Sequence, residues 1–204
     1  MFFADDFNDN SLDALKWVES TNAGSLVVEQ NQRLEVVSNS STSGYVRSLN
    51  AYVPKNSQII IKVLQHCTDG GFKLCPTDAN NHQWDVYLQP SWYNFQLIAG
   101  GVVSPAKNSG QIGGDSPALT APYWLRMRIN DTTIYFDYCQ KDEKPTESEW
   151  INISSEAWSI GTGINQANYV YLTGYNTPST GQPWFDSFSW NDYPEKGPFP
   201  LFKK

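Results

Sequence analysis

A chain of 204 residues that is 40% hydrophobic, 14% aromatic and only 17% charged has the material for one packed core and lacks the signature of disorder. Its net charge of −7, with 14 Lys and Arg clustered only at Lys203 and Lys204, argues against a nucleic-acid partner, because phosphate recognition runs through grouped basic side chains. No apolar run approaches the roughly 20 residues of a membrane span, and the first residues lack the basic start and apolar stretch of an export signal, so a soluble protein without a signal peptide is expected.

In chain order, the elements read as strands. RLEVVS (33–38) alternates Leu34 and Val36 against Glu35 and Val37; GYVRSLNAYV (44–53) and SQIIIKVLQ (57–65) follow, separated by PKN. Residues 66–82 read as a loop, in which Cys67 and Cys75 bracket CTDGGFKLC and could pair as a disulfide or remain thiols. His66, Cys67, Cys75 and His82 lack the ligand spacing of a structural zinc site. HQWDVYLQ (82–89) and YNFQLIAG (93–100) flank a turn that would expose Trp92 and Tyr93 as an aromatic pair. After a loop over 100–121, YWLRMRIN (123–130) and TTIYFDYCQ (132–140) form a hairpin joined at Asn-Asp, with Cys139 as a small buried apolar residue. SSEAWSIGTG suits one helical turn. ANYVYLTGY (167–175), a loop over 176–183 and PWFDSFSW (183–190) complete the set.

Nine or ten short strands and no sustained 3.6-residue period predict an all-β chain of two antiparallel sheets packed face to face. The division expected is a sandwich over 1–191 and a proline-rich extended arm over 192–204, since Pro194, Pro198 and Pro200 bar that segment from a sheet interior. The Gly pairs at 70–71, 100–101 and 113–114 lack the strand-to-helix setting of phosphate loops and read as turns.

DDFNDNSLDALKW (5–17) resembles the first strand and turn of concanavalin A-like lectin and glucanase sandwiches, including laminin-G-like modules. Phe7, Leu12 and Trp17 would staple the first strand to the core while the polar residues form side-chain-bonded turns. YWLRMRINDTTIYFDYCQ followed by SEWINI resembles the family's hairpin, and WFDSFSW (184–190) its closing strand, which pairs beside the first. The resemblance implies a two-sheet jelly roll. It also implies a structural calcium near the paired first and last strands, for which Asp5, Asp6 and Asp186 supply hard oxygen ligands, with turn capping as their alternative role; no other cofactor is required. One departure is KDEKPTESE (141–149), a longer acidic loop where the family has a short turn.

The family's glycosidases carry an E-x-D-x-x-E strand, whose alternation sets carboxylates on one face, a retaining pair standing about 5–5.5 Å apart. This chain has no such string. Glu147 and Glu149 alternate but lie in a charged loop, and Glu29 and Glu35 flank a turn where they could approach each other; surface acids are the preferred reading of all four. With two histidines and no G-x-S-x-G elbow, nothing points to catalysis.

Alternation also divides the strand faces. Tyr123, Leu125, Met127, Ile129, Ile134, Phe136, Tyr138, Val170, Leu172, Trp84, Val86 and Leu88 form the core set. That leaves Trp124, Arg126, Arg128, Tyr135, Asp137, Tyr169, Tyr171, Tyr175 and Tyr87, to which the turn adds Trp92 and Tyr93. Flat aromatics beside Arg and Asp suit sugars, which stack on rings and hydrogen-bond through hydroxyls. The same residues would equally serve as packing if loops cover that face. The function expected is a non-catalytic, lectin-like module that binds a glycan or glycosylated surface in adhesion or targeting. Its rival is a structural or decoration protein on a phage or virus particle, docked through the C-terminal arm.

Overall fold

The structure, a computed structural model, describes residues 2–21, 25–37, 43–65, 69–76, 83–89, 92–99, 102–103, 120–130, 133–152, 158–159, 166–175 and 182–192. The strands are, in order, β1 (Phe3–Asp5), β2 (Trp17–Thr21), β3 (Leu26–Gln30), β4 (Arg33–Val37), β5 (Ser43–Ser48), β6 (Ser57–Gln65), β7 (Asp69–Pro76) and β8 (Gln83–Gln89). Then come β9 (Trp92–Ala99), β10 (Val102–Val103), β11 (Tyr123–Ile129), β12 (Thr133–Cys139), β13 (Ile151–Asn152), β14 (Trp158–Ser159), β15 (Asn168–Tyr175) and β16 (Trp184–Asp192). A short 3-10 helix spans Glu147–Glu149. No helix among the described residues is long and apolar enough to cross a membrane.

Among these residues the strands form two antiparallel sheets, the jelly-roll sandwich expected. Sheet I runs β13-β12-β11-β6-β16-β4-β3, with β1 beside β16 and β14 beside β12. Sheet II runs β10-β9-β8-β7-β15-β5-β2. The first and closing strands pair as expected, Phe3 with Trp190 and Asp5 with Phe188.

The core lies between the sheets because one residue in two of each strand points inward. From sheet I come Leu34, Val36, Ile59, Ile61, Leu125, Met127, Phe136, Phe185 and Trp190, and from sheet II Val46, Leu74, Val170 and Leu172. Phe7 and Trp17 are fully buried among them and Leu12 packs alongside, so the opening stretch staples itself down as its pattern predicts. Its acids tie the turns. Asp5, Asp9 and Asp13 each accept the backbone N–H two residues on, at 3.2, 3.0 and 2.8 Å. Where β4 meets sheet II the fit is close. A Cβ on Gly174 would lie 2.9 Å from Pro183 Cγ and 3.1 Å from the Val36 carbonyl oxygen, so only glycine lets β15 approach there.

The fold differs from the sequence reading in four places. Residues 69–76, read as loop, form a strand hydrogen-bonded on both sides by β15 and β8. Cys67 lies outside the described residues, and with it the question of its pairing with Cys75. Trp92 and Tyr93 do not form a turn; they begin β9, opposite Gln89 and Leu88, and successive strand positions take opposite faces. Trp158 and Ser159 pair with β12 instead of forming a helical turn. The closing strand continues through Asp192, one residue past the expected boundary, and the rest of the arm, 193–204, lies outside the described residues.

Candidate functional site

The residues expected to bind ligand fall on two sheets, not one face. On the outer side of sheet I, β11 and β12 set Arg126 opposite Asp137 and Arg128 opposite Tyr135. Asp137 accepts Arg126 Nε at 2.9 Å, Arg128 Nη2 at 2.8 Å and Asn152 Nδ2 at 2.9 Å. The Glu147 carboxylate takes Arg126 Nη1 at 2.9 and 2.7 Å, so two guanidiniums meet two carboxylates. Trp150 lies 4.4 Å from the Arg126 guanidinium and packs with Ile60, Trp124 and Cys139. Trp124 donates its indole N–H to the Asp142 carbonyl at 3.1 Å.

Trp124, Arg126, Arg128 and Asp137 are therefore buried and do not present a ligand surface. The physical reason is the long acidic connection over 140–152, which folds back onto the sheet and supplies the second carboxylate that two buried arginines need. The connection is fixed by Glu149, which accepts Lys141 Nζ at 2.8 Å, Thr146 N at 2.7 Å and Thr146 Oγ1 at 2.9 Å. The Lys141 contact first, then the Thr146 backbone bond, hold its carboxyl down to about 2. Half-buried Tyr135 lies beneath Arg128, with the guanidinium 5.0 Å from its ring.

The four glutamates do not pair. Glu147 and Glu149 are engaged as above. Glu29 stands opposite Leu34 and Glu35 opposite Val28, so the two lie on opposite faces of the β3–β4 hairpin. Glu29 is buried and accepts the Asp9 N–H at 3.2 Å. Burial first, then its side-chain hydrogen bond with Asp9, push its carboxyl above the usual range. At Glu35 burial pushes upward too, but hydrogen bonds from Gln30 and Arg33 and the Arg33 charge prevail and lower it.

The expected calcium grouping is not assembled. Asp5 accepts the Trp17 indole N–H at 2.8 Å and lies 3.6 Å from Lys16 Nζ, Asp6 accepts Asn8 Nδ2 at 2.7 Å, and Asp186 faces Lys62 Nζ at 3.0 Å. A bulge explains the last contact, since Asp186 and Ser187 together occupy the space opposite Lys62 on β6. Among the described residues no group of three His, Cys, Asp or Glu is placed to hold a metal ion. A groove of about 590 Å³ opens over Ser187, Ser189, Lys62 and Lys16, which the sequence reading missed. Lys62 and Lys16 are paired with carboxylates there: Lys62 also reaches Asp142 at 2.7 Å, and Lys16 lies 3.4 Å from Asp13.

Sheet II presents a different cluster. In β15, Val170 and Leu172 enter the core while Tyr169, Tyr171 and Thr173 remain half-buried on the other side. Tyr171 stands between Arg47 of β5 and Lys73 of β7, and Thr173 stands beside Tyr45. The Arg47 guanidinium lies 4.4 Å from the Tyr169 ring and Lys73 Nζ 5.6 Å from the Tyr171 ring. Tyr45 and Tyr171 meet at 5.3 Å with their rings inclined by 59°. Burial above all, with nearby Cys75, pushes the Tyr171 hydroxyl up to about 12, so it stays a protonated donor.

Tyr169 and Tyr171 were legible in the sequence. Tyr45, Arg47 and Lys73 were missed, although Tyr45 and Arg47 alternate with buried Val46 in GYVRS. Tyr87 pairs with Gly71 and Tyr175 with Ser43 and Asp69, which puts both in sheet II; the side chains of Tyr87, Tyr175, Trp92 and Tyr93 lie outside the described residues.

No family model and no curated relative matches the sequence. Solved structures do match. Similarity to β-agarase A from Zobellia galactanivorans has a TM-score of 0.66 at 13% identity, over 93% of this chain and 89% of that one. For the VIP36 exoplasmic/lumenal domain in its Ca²⁺/Man3GlcNAc-bound form the values are 0.58 and 10%, over 94% and 89%. For the immunostimulatory antigen and pseudo beta-1,3-glucanase of Mycobacterium tuberculosis they are 0.58 and 14%, over 93% and 98%. At such identities the likeness is one of fold, and it spans an enzyme, a glycan-bound domain and a pseudo-enzyme.

Proposed function

Starting from a β-sandwich of the concanavalin A-like fold, we propose that the outer side of sheet II binds a glycan and that the protein is a non-catalytic recognition module for adhesion or targeting. The observation that carries this reading is the cluster of Tyr45, Arg47, Lys73, Tyr169 and Tyr171, five half-buried polar-tipped side chains gathered on three adjacent strands. Such a surface offers hydroxyl and cationic donors over an apolar base, which suits a hydroxyl-rich ligand. Two of the neighbouring solved structures, a β-agarase and a Man3GlcNAc-bound domain, are named for saccharide chemistry on this fold, which supports the choice of ligand class.

The non-catalytic part rests on the carboxylates. In β8, Gln83, Asp85 and Tyr87 alternate, giving one acid where a paired-carboxylate strand needs at least two. Glu147 and Glu149 are tied into the covering loop of sheet I, and Glu29 and Glu35 diverge. The test is a glycan-array screen of the full chain beside a reducing-end assay on the same glycans. Binding is expected without release of reducing ends, and Tyr171→Ala should abolish it while Tyr135→Ala should not. Turnover of any glycan would refute the non-catalytic reading, and binding indifferent to Tyr171→Ala would move the site elsewhere.

A further inference from the structure

A glycan stacks best on an uncovered aromatic ring, and the rings of Tyr169 and Tyr171 each carry a cation. The Arg47 guanidinium sits 4.4 Å over Tyr169, and Lys73 Nζ lies 5.6 Å from the ring of Tyr171. What these strands offer a ligand is therefore cationic tips and phenolic hydroxyls, with the tyrosines as the bed on which the cations rest.

Arg47 stands apart from the cations that are held in ion pairs elsewhere. Lys16, Arg33, Lys62, Arg126, Arg128 and Lys141 all sit within ion-pair distance of a carboxylate. Among the described side chains Arg47 does not; its polar partner is the Ser48 carbonyl, which accepts Nη1 at 3.0 Å. Asp85 occupies the β8 position opposite Lys73, and Arg47 is therefore the main cation offered to a ligand.

We infer that the ligand of this face is an acidic glycan, one whose sugar units carry carboxylate or sulfate groups. This rests on the glycan-binding reading above and names its substrate class. Arg47 and Lys73 flank Tyr171 on the two strands beside it, about 9–10 Å apart at the backbone given the ordinary strand spacing. They are placed to meet charges on separate sugar units, while Tyr171 offers a hydroxyl between them and Tyr45 another on the strand of Arg47. The chain as a whole is anionic, at −7, so a polyanion gains nothing from its general field and must be held by this local pair.

The experiment is affinity electrophoresis and calorimetry of the full chain on five probes: polygalacturonate for carboxylates, κ-carrageenan for sulfates, laminarin and agarose as neutral glycans, and poly-glutamate as a polyanion without sugar. Binding to polygalacturonate or κ-carrageenan is expected, and which of the two wins identifies the anionic group. Arg47→Gln should weaken that binding at least tenfold, Arg47→Lys less, and 0.5 M NaCl should weaken it comparably. Each variant is checked for an unchanged melting curve. Neutral glycans bound as well as acidic ones, and indifferent to Arg47→Gln, would overturn the acidic class while leaving glycan binding intact. Poly-glutamate bound equally would make the face a general anion site and overturn it too. No binding to any saccharide would bring down the glycan reading itself.

Discussion

The outer faces of the two sheets are built from the same materials and reach opposite outcomes. Each carries arginine beside aromatic rings on central strands, with neighbouring residues committed to the core. On sheet I the guanidiniums of Arg126 and Arg128 are matched by Asp137 and Glu147, Trp150 roofs Arg126, and the face has become a second interior. On sheet II Arg47 and Lys73 rest half-buried on Tyr169 and Tyr171, and Arg47 has no carboxylate partner among the described side chains. What separates the two is the connection over 140–152, which brings carboxylates and an indole to one face. Residue chemistry alone does not make a binding surface; a face must also escape being covered by its own chain.

The comparison breaks most sharply at Asp137. Asp137→Ala removes the carboxylate shared by two buried guanidiniums, and loss of one partner from a buried ion network costs about 3–5 kcal/mol. At about 2–4 °C per kcal/mol for a domain of this size, the melting temperature should fall on the order of 10 °C. The triple change Arg126→Met, Arg128→Met, Asp137→Leu should cost far less, because it removes the charges together. Calorimetric melting of both variants checks this; a harmless Asp137→Ala would mean that the network is wet and the face open.

Next comes the roof. Trp150→Ala strips the indole from Arg126, Ile60, Trp124 and Cys139, and removal of a buried Trp costs about 3 kcal/mol or more. Urea unfolding should show the loss as a lower midpoint, with glycan binding unchanged if the ligand face is sheet II. A variant that instead gained affinity would show that sheet I had been a covered binding face.

Arg47→Gln should do the reverse. Its stacking on Tyr169 is worth roughly 0.5–1 kcal/mol at a partly exposed site, so stability should barely move while binding drops. Melting temperature and affinity measured on one preparation make the contrast with Asp137→Ala direct. If Arg47→Gln melts as early as Asp137→Ala, the two faces are not different in kind.

The sequence carried the strands whose alternation is clean. SQIIIKVLQ matches β6 at both ends, and YWLRMRI assigns its inward residues correctly because every second side chain is apolar. β7 escaped because DGGFKLC opens on a Gly pair, which weakens any local preference for strand; it is extended because β15 and β8 bond it from both sides. The site was half legible for a related reason. Alternation says which residues leave the core but not which sheet they leave it from, so Trp124 and Tyr171 look alike until the topology separates them. The acidic loop could be seen to be unusual, but its service to Arg126 is a contact between residues 126 and 147 that no local pattern encodes.

The smallest effect expected lies at the hinge of the covering loop. Glu149 has its carboxyl held at about 2, chiefly by the hydrogen bond from Lys141 and then by Thr146. A carboxyl lowered in the folded state stabilises fully above its unfolded value, near 4.5, and that contribution disappears as pH falls through about 2. Glu149→Gln should therefore melt slightly below the unaltered protein by the same margin at pH 7 and pH 5. The margin should close between about 4.5 and 2, where the native carboxyl takes up its proton. Because the side chain is exposed, the margin is small and salt should narrow it further. Paired melting curves across that pH range decide the matter. A margin that persists undiminished at pH 2 would mean that the loop is held by the shape of the Thr146 turn and not by charge, and that the roof over sheet I would stay closed in acid.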